Sequence, residues 1–393
     1  MEDVFETSSG ARVAPLSLHP GMFIDRTTTL YGPSKTGKTV IIKAIMALLN
    51  DHVPEVLVVA PTEPTNRSYA GTVDAPLIQY RMYLPPETPP KKKPAGDERA
   101  GALRFLNAVW QRQEMKAAIS TRVNDPRVLR GLFERARRFD PHAARAGDEA
   151  LSRLSRNRDR MLGALSSSLT GAARTAALAA ATEKFDDMLV LVYKKHITPL
   201  RDELWRVHGL DEDEMYTLNY LHFNPRLLLI FDDCAAELKP FFTSDAFRKI
   251  FYQNRHVKIT ALIACQDDTD LPSNLRKNSF VNFFTTEQVT SSNFTRVSNR
   301  YPKAEQQFAT DIGAELFRDP HRKLAYIRED PHKFYYVKIP PLPAFHFGSA
   351  AVRELCAAVG QEGVAMDQSN PFFARFAIAP TSSASGGASA SNA

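Results

Sequence analysis

The sequence predicts an α/β fold in which a mostly parallel sheet carries helices on both faces and is interrupted by a helical insertion. Three observations predict it. A glycine-bounded loop, residues 32–39 (GPSKTGKT), lies between a β-branched run and an apolar helical run. Apolar runs of strand length recur at residues 55–60, 226–231 and 257–265, each ending at a proline or a polar residue. Between the first and second of these runs, residues 98–207 turn to Ala, Arg and Leu, with no convincing strand before Met188.

Taken in order, residues 26–31 (RTTTLY) read as a strand because they are rich in β-branched side chains and stop at a glycine. Residues 39–49 (TVIIKAIMALL) are apolar almost all round and long enough for a buried helix. Residues 55–60 (EVLVVA), closed by Pro61, read as a buried parallel strand, and residues 62–83 as a loop containing a weak helix or strand. The run 85–94 (PPETPPKKKP) admits no regular element and marks a boundary. The helical insertion breaks near Asp125-Pro126 and Asp140-Pro141, and its Ser- and Ala-rich part, 165–181, reads as a loosely packed helix or a connector. Strand signals resume at 226–231 (RLLLIF), 257–265 (VKITALIAC) and 279–285 (SFVNFFT). Residues 244–254 have helical spacing with Ser244 or Asp245 as N-cap, and 323–328 with 333–339 read as a late hairpin. The resulting division is 1–95 and 216–345 as two halves of one core, 96–215 as the insertion, 346–380 as an extension and 381–393 as a low-complexity tail.

Composition bounds the class. At 393 residues, 44% hydrophobic and 24% charged, the chain has room for a large buried core. No apolar run reaches the length of a membrane span. The first twenty residues are acidic and lack an apolar stretch, which argues against a secretory signal. Cys234, Cys265 and Cys356 are too few and too scattered for a disulfide framework or a zinc knuckle, so a reducing compartment is expected. The net charge of +6 is uneven: residues 99–160 hold 14 Arg and 1 Lys against 7 acidic residues. Such a block suits a polyanionic partner, or else a solvated helical surface.

The loop carries the most specific chemistry. Gly32 and Gly37 permit backbone angles that let the N–H groups of Ser34, Lys35 and Thr36, which follow Pro33 in the loop, and of their neighbours turn inward on phosphate oxygens. Lys38 supplies a cation for the β- and γ-phosphates of ATP, Thr39 a hydroxyl for Mg²⁺, and the following helix its positive end. The acidic partner is expected where an apolar strand runs into Asp232-Asp233: Asp232 for Mg²⁺, Asp233 as general base, with Glu237 as the alternative base one helical turn on. Gln266, at the end of the next strand, would sense the γ-phosphate or orient water, or else simply cap its strand. The order of strands is that of a P-loop nucleoside triphosphatase of the RecA-like type, with an additional central strand and an acidic base. No Asn-Lys-x-Asp motif for guanine, no Leu-Ser-Gly-Gly motif of transporter ATPases and no compact arginine-bearing lid is evident.

The loop, residues 56–71 (VLVVAPTEPTNRSYAG) with Pro61, Thr62 and Asn66, the LLLIFDD strand, and 257–278 with Leu271-Pro272 and Asn274-Leu275-Arg276 together resemble the DNA-packaging ATPases of nucleocytoplasmic large DNA viruses. These form the poxvirus-like branch of the FtsK–HerA superfamily. The likeness covers about residues 22–85 and 220–300, under half the chain. It implies a homo-oligomeric ring that drives double-stranded DNA into a capsid, acting in the host cytoplasm with the virion as a second location, and with a capsid or portal component as a further partner. It also implies an arginine donated to the neighbouring subunit's site, for which Arg276 is the first candidate and Arg296 and Arg300 stand behind it. The chain departs from the family in its long arginine-rich insertion and in having Asp rather than Glu at position 233. Two alternatives remain: another P-loop ATPase acting on DNA, such as a helicase or recombinase, and a DNA- or capsid-binding protein that nucleotide merely stabilises.

Overall fold

The structure, a computed structural model, describes residues 4–86 and 97–361. It forms two units, Met1–Glu114 with Pro225–Ala393, and Met115–Asn224. Among the described residues, the first unit contains ten strands: β1 (Phe5–Glu6), β2 (Arg12–Pro15), β3 (Thr27–Tyr31), β4 (Glu55–Val59), β5 (Ile78–Gln79), β6 (Leu227–Asp232), β7 (Ile259–Cys265), β8 (Val281–Phe284), β9 (Arg322–Ile327) and β10 (Phe334–Lys338). They lie in the order β1-β2-β10-β9-β8-β3-β7-β6-β4-β5. The run from β8 to β5 is wholly parallel, while β9 pairs antiparallel with both β8 and β10. β7 is therefore inserted between the strand that precedes the glycine loop and the strand that ends in Asp232, which is the additional-strand arrangement expected from the sequence.

The central strands are buried throughout, and their alternate residues feed two cores. Leu57, Leu229, Phe231 and Ile263 face one core, which is completed by helices Asp97–Val123, Asp245–Tyr252, Glu287–Thr295 and Lys303–Leu316. Val56, Val58, Leu228, Ile230 and Leu262 face the other, closed by Ile41, Ile42, Ile45 and Leu49 of helix Lys38–Leu49. That helix is apolar nearly all round because the sheet and the residues around Met22 and Phe23 bury it from several sides. Ser244 caps helix Asp245–Tyr252 by accepting from the Phe247 N–H at 3.3 Å. The late hairpin forms as β9–β10. Strands β1, β2 and β5 lie where the residue pattern predicts no strand or only a weak one. Their two to four residues are too short for a periodic signal.

The second unit is helical, with Pro126–Ala136, Pro141–Ser168, Gly171–Ile197, Arg201–Trp205 and Glu212–Asn219 around Leu129, Leu132, Phe133, Ile197, Leu204 and Leu218. Both Asp-Pro breaks fall at helix starts, where proline lacks only an N–H that would have no intrahelical acceptor. Asp125 accepts from the Arg127 N–H at 2.8 Å. Asp211 and Glu214 form a reciprocal capping box, and Arg135 pairs with the buried Glu214 at 2.8 Å. Residues 165–181 are helical apart from a break before Gly171, whose φ of +58° ends one helix and admits the next. The insertion expected over 96–215 compares with a unit of 115–224. The difference arises because Phe105, Leu106, Val109 and Trp110, in the first part of helix Asp97–Val123, join the core of the sheet unit. There Gln113 donates to the Pro225 carbonyl at 2.9 Å and Arg112 pairs with Glu55. Most of the proline-rich run 85–94, part of the 346–380 extension and the 381–393 tail lie outside the described residues. Among those described, no helix is long and apolar enough to cross a membrane.

Candidate functional site

In a parallel sheet, ligands gather beyond the carboxyl ends of strands, and β3, β6 and β7 bring three loops together there. The loop after β3 passes so close to the end of β8 that a Cβ on Gly32 would fall 1.7 Å from Thr285 Oγ1, so only glycine fits. Thr285 Oγ1 lies 3.1 Å from the Tyr31 carbonyl oxygen and 2.6 Å from Thr36 Oγ1, which lies 2.8 Å from Pro33 O, so two hydroxyl protons are divided among these contacts. Gly37, at φ +97°, starts helix Lys38–Leu49 and directs its first N–H groups toward the loop. Lys38 is buried and donates to the carbonyls of Gly32 and, at 3.0 Å, Pro33. Burial lowers its pKa, against the opposing pull of Asp233 and Asp232.

Thr39 Oγ1 lies 3.4 Å from Asp232 Oδ2, at the last residue of β6. Tyr69 OH donates to the same carboxylate oxygen at 2.8 Å. Tyr69 is fully buried, and its loop is held by Glu63, which accepts from the Tyr69 and Ala70 N–H groups at 2.8 and 2.9 Å. Burial raises the pKa of Asp232, while the Tyr69 hydrogen bond and Lys38 pull it down. A buried carboxylate of this kind favours a cation beside it. The next residue, Asp233, has φ +55°, a left-handed conformation that aspartate tolerates better than most side chains. Asp233 has a partner of its own: its Oδ1 accepts from Gln266 Nε2 at 2.9 Å. Gln266 is positioned by its own loop, where Asp270 Oδ2 accepts from the N–H groups of Gln266 and Asp267.

The donor set fits Mg²⁺ and a polyphosphate: Thr39 and Asp232 offer hard oxygens, and Lys38 with the helix N-terminus offers positive charge. A cleft of about 560 Å³ opens beside the loop, lined by Lys35, Gly37, Val40, Thr286, His321 and Lys323 among others. Lys38, Thr39, Asp232, Asp233 and Gln266 are thus brought together. Glu237 is not part of this group; it lines a different cavity with Arg81, Met82 and Phe241.

Arg276 is held within its own chain. Its side chain is 8% exposed and pairs at 3.1 Å with Asp268, which is fully buried. Its other end donates to Ser298 Oγ at 3.1 Å. Arg296 binds the same carboxylate through two 2.9 Å hydrogen bonds, and Asn299 adds a third partner at 3.2 Å. A buried carboxylate needs such compensation, so Arg276 and Arg296 are committed within their own subunit. Arg300 is exposed, follows this cluster directly and has φ +54°. The residues that sequence reasoning missed are Tyr69, Glu63, Thr285 and Asp268, whose roles depend on partners distant in sequence. Cys234, Cys265 and Cys356 are free and buried, with burial raising the thiol pKa of each.

The B354L protein of African swine fever virus, from a pig isolate from Kenya, is 42% identical over 379 residues, covering 95% of this chain and 98% of its own length. The chain belongs to the B354L family. These relatives come from a nucleocytoplasmic large DNA virus, the group to which the sequence resemblance pointed. Among solved structures, the genome packaging NTPase B204 of Sulfolobus turreted icosahedral virus 2, in complex with ATP-γS, is 12% identical. That likeness covers 83% of this chain and 100% of the other, with a TM-score of 0.30. VirB4 of Thermoanaerobacter pseudethanolicus is 13% identical, covering 86% and 96%, with a TM-score of 0.36. At such scores the fold class rests on the strand order of this B354L-family chain itself. No protein-family profile matches the chain.

Proposed function

We propose that the protein is an Mg²⁺-dependent ATPase that translocates double-stranded DNA and packages a viral genome into its capsid as a ring of identical subunits. One observation carries the reading: Lys38, Thr39, Asp232, Asp233 and Gln266 converge at the carboxyl ends of three adjacent parallel strands. Lys38 and the helix N-terminus hold the phosphates, and the loop residues Gly32, Pro33, Ser34, Lys35, Thr36 and Gly37 wrap them. Thr39 and Asp232 hold Mg²⁺, which would neutralise phosphate charge when bound. Asp233 accepts the proton of the attacking water, and Gln266, already hydrogen-bonded to Asp233, orients that water. Asp is shorter than Glu, and the hydrogen bond that Asp233 accepts from Gln266 supports its use as the base.

In the ring, Arg300 replaces Arg276 as the arginine offered to the neighbouring site, because it is exposed while Arg276 and Arg296 are held by Asp268. Duplex DNA is the substrate, a capsid or portal component the docking partner, and the host cytoplasm the place of action. Displacement of a third strand from a triplex-bearing duplex tests the coupling. Wild-type protein with ATP and Mg²⁺ should displace the strand, and Asp233→Asn should bind nucleotide without displacing it. ATP turnover with no displacement by wild type would reduce the reading to an ATPase without a translocase.

A further inference from the structure

Ten of the 14 arginines of the arginine-rich block fall into two classes once their side chains are placed. Arg112, Arg122, Arg127, Arg135, Arg137 and Arg158 each pair with a carboxylate. Along helix Pro141–Ser168, four others do not: Arg145, Arg153, Arg156 and Arg160 are exposed and make no ion pair with a described residue, though Arg153 donates to the Glu149 carbonyl one turn back. Their spacings of eight, three and four residues are close to whole helical turns, so all four lie on one face. The opposite face holds the buried Gly147 and Leu154 and the half-buried Leu151, Leu162 and Leu165. The arginines therefore form a straight ridge about 22 Å long pointing away from the packed side of the helix.

We infer that this ridge is a sequence-blind contact surface for the phosphate backbone of duplex DNA. The inference rests on the proposal that DNA is the substrate. Four guanidiniums in a line match a line of charge, and 22 Å spans about six phosphates of one strand. Guanidinium forks suit phosphate oxygens, and they remain charged at every working pH. An acidic protein surface is the weaker fit. Interface hot spots need apolar or aromatic anchors, whereas the same face continues with the exposed Gly163 and Ser167. Glu149, also exposed, shares the ridge and lowers its net charge to +3. It would repel the phosphates, and this gives the inference a test of opposite sign.

Binding of a fluorescently labelled mixed-sequence duplex is measured against salt for full-length wild type, for the variant with Arg145, Arg153, Arg156 and Arg160 all changed to Gln, and for Glu149→Gln. The fourfold variant should lose roughly three to four from the log–log salt slope, and on the order of tenfold or more in affinity at about 100 mM salt. Glu149→Gln should bind more tightly, a gain that misfolding cannot mimic. Replacing the four arginines by Lys should retain the slope. Wild type that binds no duplex would sink the DNA-translocase proposal itself. Wild type that binds, with slopes unchanged in both the fourfold variant and Glu149→Gln, would overturn the ridge alone and turn attention to an acidic protein partner.

Discussion

Asp232 is shared by two side chains from different parts of the chain, and that sharing governs how well it can serve a cation. Tyr69 fixes one carboxylate oxygen from a loop 163 positions away in sequence, while Thr39 faces the same oxygen from the glycine-loop helix. A hydrogen bond to a charged group contributes about 1.5–3 kcal/mol. Tyr69→Phe should therefore raise the Mg²⁺ concentration needed for half-maximal turnover by roughly tenfold and lower kcat less. Titration of ATP turnover with Mg²⁺ checks this; a fall in kcat at unchanged Mg²⁺ requirement would assign Tyr69 a structural role only. Lys38 and Thr39 were legible because their chemistry is local, a fixed spacing within eight residues. Tyr69 was not, since nothing in PTEPTNRSY marks a tyrosine that will be buried against a distant aspartate. The pairing of Arg276 was not legible for the same reason: the burial of Asp268 is a tertiary fact.

At the scale of elements, the sheet dictates how close the glycine loop comes to its neighbours. Gly32→Ala should weaken nucleotide binding by on the order of tenfold or more, because its Cβ would collide with Thr285. Adding Thr285→Ala should recover part of the loss, measured by nucleotide titration; no recovery would place the cause elsewhere. The loop after β7 is anchored by Asp268, and removing that carboxylate leaves Arg276 buried without its charge partner. Asp268→Ala should therefore cost about 3–5 kcal/mol in denaturant unfolding, with no change in fold class. The long buried strands were readable because fully buried parallel strands are continuous apolar runs. Helix starts at Pro126 and Pro141 were readable from their Asp-Pro steps. The outer strands β1, β2 and β5 were not, because they are short and belong to the sheet only through their pairing.

The whole molecule joins a nucleotide-handling sheet unit to a helical unit with its own core and its own electrostatics. In the helical unit, burial lowers Lys194 from 10.5 to about 8. The folded state therefore resists its charge, and that cost is fully present below about pH 8. As pH rises from about 8 toward 10.5, the unfolded chain holds the proton longer than the folded one, so this residue's contribution to stability increases. Melting midpoints should show that gain in wild type and a flatter profile in Lys194→Met; parallel profiles would contradict it. The proposed ring makes a separate demand. If Arg300 completes a neighbour's site, Arg300→Ala and Lys38→Ala proteins should each be inactive alone yet regain partial turnover when mixed, since some junctions then join an intact arginine to an intact loop. The sequence pointed to a DNA-handling ATPase through local motifs, but the separation of paired arginines from the ridge needed the helix faces.

ATP hydrolysis by purified full-length protein, with and without linear double-stranded DNA, tests the central claim most directly when run beside Lys38→Ala and Asp233→Asn. Turnover stimulated by DNA and reduced by at least about a hundredfold in both variants is the expected result. Absence of turnover at concentrations where subunits assemble, with or without DNA, would contradict the motor and leave a protein that nucleotide only stabilises.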